Sequence, residues 1–241
     1  FEHPYHHLDE AHQCGILSYE LFLRYYKECL KWAGFPYYFH TVGSSMAVRA
    51  ETYAKVGGMN KRKAGEDFYF MHKVFPMGPV QEINAPLVFP SPRISSRVPF
   101  GTGRAMLNWQ HKENRNYLTY PFEIFVLLKE FLSGDGQWQY ENPTIHTLLQ
   151  ECLADLNFET KLSEIRRKST TPESFIKNFY QLVNGFTVLK MVHFLRDRQF
   201  GEVDVETGAK DLLQNLGISP EDTIEKLVLQ FRNLQMHGLH S

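Results

Sequence analysis

Cysteine is scarce in this chain: Cys14, Cys29 and Cys152 are the whole set, and no two form a Cys-x-x-Cys arrangement. Three cannot all pair with one another, so reduced thiols in a cytoplasmic setting are the expected state. Long apolar runs are also missing. The nearest approach, Phe122 to Leu132, is interrupted by Glu123, Lys129 and Glu130, so no transmembrane segment is expected. Charge is nearly balanced, at −1 over 241 residues, which gives no reason to expect nucleic acid or another bulk polyanion as a partner. Internal repeats and low-complexity tracts are absent too.

What is present is ordinary for a globular protein. The chain is 43% hydrophobic, enough for one large or two small domains, and is rich in aromatics at 14%. The opening Phe1-Glu2-His3-Pro4 reads like the middle of a polypeptide, so further residues are expected upstream.

Apolar spacing predicts a helix from Leu8 to Trp32, stopped by Gly34. Phe35 to Val42 is rich in strand formers, and Val80 to Phe89 reads as one or two short strands. Arg49 to Val56 reads as one or two helical turns before Gly57-Gly58, and Phe68 to Phe75 as a helix ended by Pro76 and Gly78. Pro90, Pro92, Pro99, Gly101 and Gly103 mark a long irregular loop, a kind of segment that is often functional. From Tyr120 the composition changes. Helices are expected over Phe122–Phe131, Pro143–Leu156, Glu159–Lys168, Pro172–Val183, Phe186–Arg198, Glu206–Leu216 and Pro220–Met236. Asn142-Pro143, Thr171-Pro172 and Ser219-Pro220-Glu221 are helix-opening signals.

The most chemically suggestive segment is Gly65-Glu66-Asp67, followed by the apolar run Phe68-Tyr69-Phe70-Met71. Adjacent carboxylates cannot share one helix face. One can face a cleft while the protein holds the other, an arrangement that suits a general base with a positioned neighbour. An acid at a helix start is also a good capping residue. Both readings of Asp67 stand on the residues alone.

Four segments in order give the first part of the chain a family likeness. Val42-Gly43-Ser44-Ser45-Met46-Ala47-Val48-Arg49 is a small-residue segment leading to an arginine. Tyr53 with Val56-Gly57-Gly58-Met59 is a helix followed by a Gly-Gly turn. Ala64-Gly65-Glu66-Asp67-Phe68-Tyr69-Phe70 carries a Glu-Asp pair. Pro90-Ser91-Pro92-Arg93 and Arg97-Val98-Pro99-Phe100-Gly101-Thr102-Gly103-Arg104 form an arginine- and glycine-rich loop. Together they resemble the acceptor-side half of GT-A glycosyltransferases similar to family 2, over roughly the first 110 residues.

The resemblance implies an α-rich α/β chain. A partial GT-A fold with few short strands would occupy residues 1–115, and an all-helical domain residues 116–241. It implies an inverting transferase that moves a sugar from a nucleotide-sugar to a glycan or other hydroxyl acceptor, in a bacterial, cytoplasmic setting. Asp67 becomes the expected base. Glu66 and Trp109 become acceptor-binding or loop-orienting residues. Arg93, Arg97, Gly101, Gly103 and Arg104 would hold the donor diphosphate. Guanidinium forks match phosphate oxygens, and glycines let the backbone come close. A solvated loop whose arginines pair with nearby acids is the competing reading.

One departure from the family is plain. Its nucleotide-binding half carries an Asp-x-Asp that binds a divalent cation, and no such motif precedes Gly65 here. Asp204-Val205-Glu206 comes too late and in a helical stretch. A magnesium or manganese ion is therefore expected for the full-length enzyme, with its main ligands outside this chain, which by itself is expected to be inactive. A homodimer contact or a partner enzyme is expected at the helical domain.

Rival readings remain. The chain could be a non-catalytic helical interaction module carrying a decayed transferase segment, or a metal hydrolase using His3, His6, His7, His12 and His40, whose spacing is irregular for zinc. Trp32, Trp109, Trp138 and Tyr37-Tyr38-Phe39 suit either sugar stacking or core packing. Lys61-Arg62-Lys63 suits either a solvated turn or contact with an anionic carrier or donor.

Overall fold

A computed structural model describes residues 1–61, 65–86, 88–97, 99, 101–111 and 116–237. In chain order the helices are α1 (Glu10–Trp32), α2 (Ala50–Lys55), α3 (Glu66–Val74), α4 (Thr102–His111), α5 (Phe122–Ser133), α6 (Thr147–Asp155), α7 (Phe158–Lys168), α8 (Pro172–Leu182), α9 (Gly185–Leu195), α10 (Val205–Asn215) and α11 (Ile224–His237). Two short strands, β1 (Leu118–Thr119) and β2 (Val203–Asp204), pair antiparallel, with Leu118 opposite Asp204. The protein is thus α-rich.

The chain forms two compact units. The first comprises residues 1–27, 39–119 and 203–241, the second 28–38 and 120–202. The sequence predicts a single division, at 115/116. The observed division differs because the chain returns: β2 pairs with β1, and Val205 donates its amide to the Tyr117 carbonyl at 2.8 Å. α10 and α11 therefore belong with the N-terminal residues.

In the first unit the apolar stripe of α1 buries Ile16, Leu17, Leu21 and Tyr25. The same buried face carries charge. Glu20 is fully buried and lies against Arg24, Arg232 and His3. Trp109 of α4 packs its ring on Gly15, where a Cβ would come within 2.6 Å of the indole. α10 begins where Asp204 accepts the Glu206 amide at 2.9 Å, an N-cap.

The second unit has an aromatic centre. Phe131, Trp138, Phe158 and Phe179 meet with ring centroids 5.4 to 6.4 Å apart, a spacing that favours edge and tilted contacts. α9 packs on α5 and α6, and α7 on α6 and α8. A capping box between Thr171 and Ser174, with Pro172 at the first position, opens α8 as its sequence predicts. Trp138 donates its indole N–H to the Phe131 carbonyl at 3.3 Å, and Lys129 lies 3.9 Å over the Trp32 ring. Both tryptophans thus pack within the unit.

Two expectations need correction. No strand forms over 35–42 or over the described residues of 80–89. Strand formers make a strand only where another strand accepts their backbone bonds. In the second stretch the one backbone bond described runs from the Glu2 amide to the Val88 carbonyl, and Ile83 and Phe89 stay largely exposed. Conversely, α4 arises where a loop was expected. The glycines of Gly101-Thr102-Gly103 mask the apolar positions Ala105, Met106 and Trp109, which lie buried on one helical face.

Candidate active site

Gly65 opens α3 in a left-handed conformation, φ 74°, which explains the glycine before the carboxylate pair. It occupies the N-cap position, so neither acid caps the helix from there. Asp67 sits in the first turn, half-buried. Its Oδ2 accepts the Gly43 amide at 3.0 Å and its Oδ1 the Phe68 amide at 2.8 Å. The carboxylate therefore ties α3 to the small-residue turn Gly43–Ser45, a segment 24 residues earlier. The Ser45 hydroxyl is buried in that turn and has no hydrogen-bond partner among the described residues. Glu66 is half-buried and has neither a hydrogen bond nor an ion pair among the described residues. Asp67 is thus oriented by one backbone N–H on each carboxylate oxygen.

Tyr19 of α1 joins this group. Its phenol is pushed up to about 12, first by burial and then by the charge of Asp67, while a hydrogen bond to the Thr102 side chain acts in the opposite direction. Thr102, the first residue of α4, also lies 3.3 Å from His3 Nε2. On its other side His3 Nδ1 is 3.0 Å from Glu20 Oε2, and the His3 backbone N–H donates to the same oxygen at 2.8 Å.

Glu20 anchors all of this. Burial alone would raise its pKa. Hydrogen bonds from His3 and Arg232, with the charges of Arg24 and Arg232, outweigh that and hold the carboxyl well below the usual carboxylate range. Its Oε1 accepts Nε of Arg24 and Nε of Arg232, each at 2.8 Å, and its Oε2 accepts a further Arg232 nitrogen at 3.0 Å.

The arginine loop folds onto the start of α4. Ser95 donates its amide to the Gly103 carbonyl at 3.0 Å, and Arg97 donates its amide to Ser95 Oγ at 3.3 Å. Gly101, with φ 94°, precedes the helix. Gly103 and Arg104 thus lie in the first turn of a helix, where unpaired backbone N–H groups favour anions. Arg93 and Arg97 are exposed and Arg104 is half-buried. Among the described residues none of the three forms an ion pair. Arg62 and Lys63 of the basic segment lie outside the described residues.

Trp109 stands apart from this group. It is 6% exposed, and its indole N–H donates to the Ala11 carbonyl at 2.9 Å. Its ring forms one wall of a cavity of about 520 Å³ with Cys14, Tyr117 and Glu206.

The N-terminal histidines are dispersed in role. Both ring nitrogens of His3 lie against protein partners, and His12 Nδ1 lies 2.6 Å from Asp9. Among the described residues no three His, Cys, Asp or Glu side chains are grouped as a metal ion requires. The described residues thus do not offer a donor set for the cation implied by the family likeness. Among them no helix is long and apolar enough to cross a membrane.

Tyr19, Thr102 and Glu20 are not singled out by sequence reasoning, and His3 is considered there only as a metal ligand. A signal was available: Glu20, Arg24 and Lys27 recur at helical spacing beside the apolar positions Ile16, Leu17 and Leu21. Charges on the buried face of an amphipathic helix must be paired inside the protein. Comparison of the chain with known families, curated proteins and solved structures finds no match.

Proposed function

We propose that this chain forms the acceptor side of an inverting nucleotide-sugar-dependent glycosyltransferase similar to GT-A family 2. One observation carries the reading. The Glu-Asp segment and the small-residue turn, far apart in sequence, are bonded to each other through Asp67. The arginine loop is bonded to the start of α4, and Tyr19, which hydrogen-bonds with Thr102 in that start, feels the charge of Asp67.

In the proposed reaction the acceptor hydroxyl gives its proton to Asp67 as its oxygen bonds to the anomeric carbon. The bond from that carbon to the diphosphate oxygen breaks, and the diphosphate leaves with the electron pair. Arg97 and Arg104, with Arg93 and the backbone at Gly101 and Gly103, meet the charge that grows on the leaving group. Glu66, which has no hydrogen bond or ion pair among the described residues, is suited to an acceptor hydroxyl. Among the described residues no acid pairs with these arginines, which supports the diphosphate assignment, since paired guanidiniums would have to give up an acid first.

The test is turnover of a panel of nucleotide-sugars by the protein as the cell makes it, this chain with whatever adjoins it. Asp67→Asn keeps an oxygen for the Gly43 amide and removes the base. It should lower kcat by about 10²- to 10⁴-fold with the fold retained. Undiminished transfer by this variant would reject the base. Absence of turnover by the unaltered protein with every donor would reject the class and favour a non-catalytic module.

A further inference from the structure

We infer that His3 and Thr102 are positioning residues: a directed hydrogen-bond relay from Glu20 through His3 to Thr102 sets the first turn of α4 and, through it, the Arg93–Arg97 loop. The inference rests on the proposed function only for what the ordered turn serves, which is binding of a diphosphate.

The direction of the relay follows from its buried end. Glu20 is fully buried and surrounded by donors from Arg24, Arg232 and the His3 backbone. An ionised carboxylate only accepts, so His3 Nδ1 carries the proton that faces it, at 3.0 Å. In the neutral ring Nε2 is then an acceptor, and the Thr102 hydroxyl 3.3 Å away donates to it. The contact with His3 Nε2 holds the Thr102 side chain in one rotamer.

The backbone carries the restraint onward. The residue after Thr102, Gly103, accepts the Ser95 amide at 3.0 Å, and Ser95 Oγ accepts the Arg97 amide at 3.3 Å. A Cβ on Gly103 would come within 2.6 Å of the Ser95 side chain, so this contact is close as well as bonded. An unbroken series thus joins a carboxylate in the core to the arginine loop. None of these groups needs to touch a reacting atom. Their effect is to have the turn ordered before an anion arrives, which lessens the ordering cost of binding.

Thr102→Val removes the hydroxyl at nearly constant shape, and Thr102→Ser restores it. Two measurements on the chain separate the outcomes: amide hydrogen exchange at Ser95 and Ala105, whose N–H groups bond within this turn, and calorimetric titration with inorganic pyrophosphate. Thr102→Val should speed exchange at both amides about tenfold, as expected for loss of about one net hydrogen bond. It should weaken pyrophosphate binding by a similar factor, and exchange in α8 and α9 should not change. Thr102→Ser should recover both values. Unchanged exchange at Ser95 and Ala105 in Thr102→Val overturns the relay, as does failure of the serine variant to recover. If exchange responds as expected but the unaltered chain binds no pyrophosphate, the relay stands and the diphosphate assignment falls.

Discussion

Replacing Glu20 by glutamine removes the charge that two buried guanidiniums depend on, while nearly preserving shape. Glu20 is fully buried, and Arg24 and Arg232 are 5% and 8% exposed. Breaking a buried ion pair from one side costs roughly 3–5 kcal/mol, mostly because the other charge is left uncompensated. Here the cations keep other partners. Arg24 still donates to the Gln235 side chain and, at 2.6 Å, to the Phe1 carbonyl; Arg232 still lies 3.4 Å from Glu2. The lower end, about 3 kcal/mol, is therefore expected. In urea, with a slope of about 2–3 kcal/mol/M, that lowers the midpoint by a little over 1 M.

The same variant has a pH signature. The folded pKa of Glu20 lies below its unfolded value of 4.5. Such a group stabilises fully above the unfolded value, and its contribution is lost as pH falls through that value toward the folded one. The gap between wild type and Glu20→Gln should therefore stay constant from pH 7 to about 5 and narrow below the unfolded value of 4.5. Urea titration followed by far-ultraviolet circular dichroism at several pH values reads both effects. A midpoint change under about 0.3 M at equal slope, or a gap unaltered down to pH 3, would refute the view that Glu20 is a paired, ionised centre of the first unit.

Two further outcomes are expected. Gly15→Ala would press a methyl group against Trp109, 2.6 Å from its Cδ1. It should cost about 1–3 kcal/mol, seen as a lower melting temperature with altered tryptophan fluorescence, and an unchanged melting temperature would contradict that packing. A thiol reagent at pH 8 should modify Cys14 first. Cys29 is fully buried, and burial, with the charge of Asp155, pushes the Cys152 thiol up to about 11, which suppresses its thiolate. Equal labelling rates for all three in the native protein would count against this.

Much of the helical structure was legible beforehand. α1, α2, α5, α7 and α8 begin and end within a few residues of expectation. Their apolar spacing, Gly34 after α1, and Thr171-Pro172 before α8 are local signals whose effect does not depend on distant residues. Gly65 likewise marks the left-handed start of α3. The expected strands failed for the opposite reason: Phe35 to Val42 and Val80 to Phe89 have the composition of strands, but pairing is a property of two segments. The start of α4 was obscured because Gly101 and Gly103 weaken a helical pattern that Met106 and Trp109 complete only by burial.

The candidate site divides in the same way. The sequence alone determined which residue types stand at Gly65-Glu66-Asp67 and between Arg93 and Arg104, and that their chemistry suits a base and an anion. It also determined a helix over Leu8–Trp32 with Glu20, Arg24 and Lys27 spaced along it. Only the tertiary structure decided that Asp67 bonds to Gly43, that Thr102 lies between His3 and Tyr19, and that Glu20 meets Arg232 from 212 residues away. Local spacing dictates local backbone, because helical hydrogen bonds close within four residues. A buried carboxylate is stable only with partners that the folded core supplies, and those partners can come from anywhere along the chain.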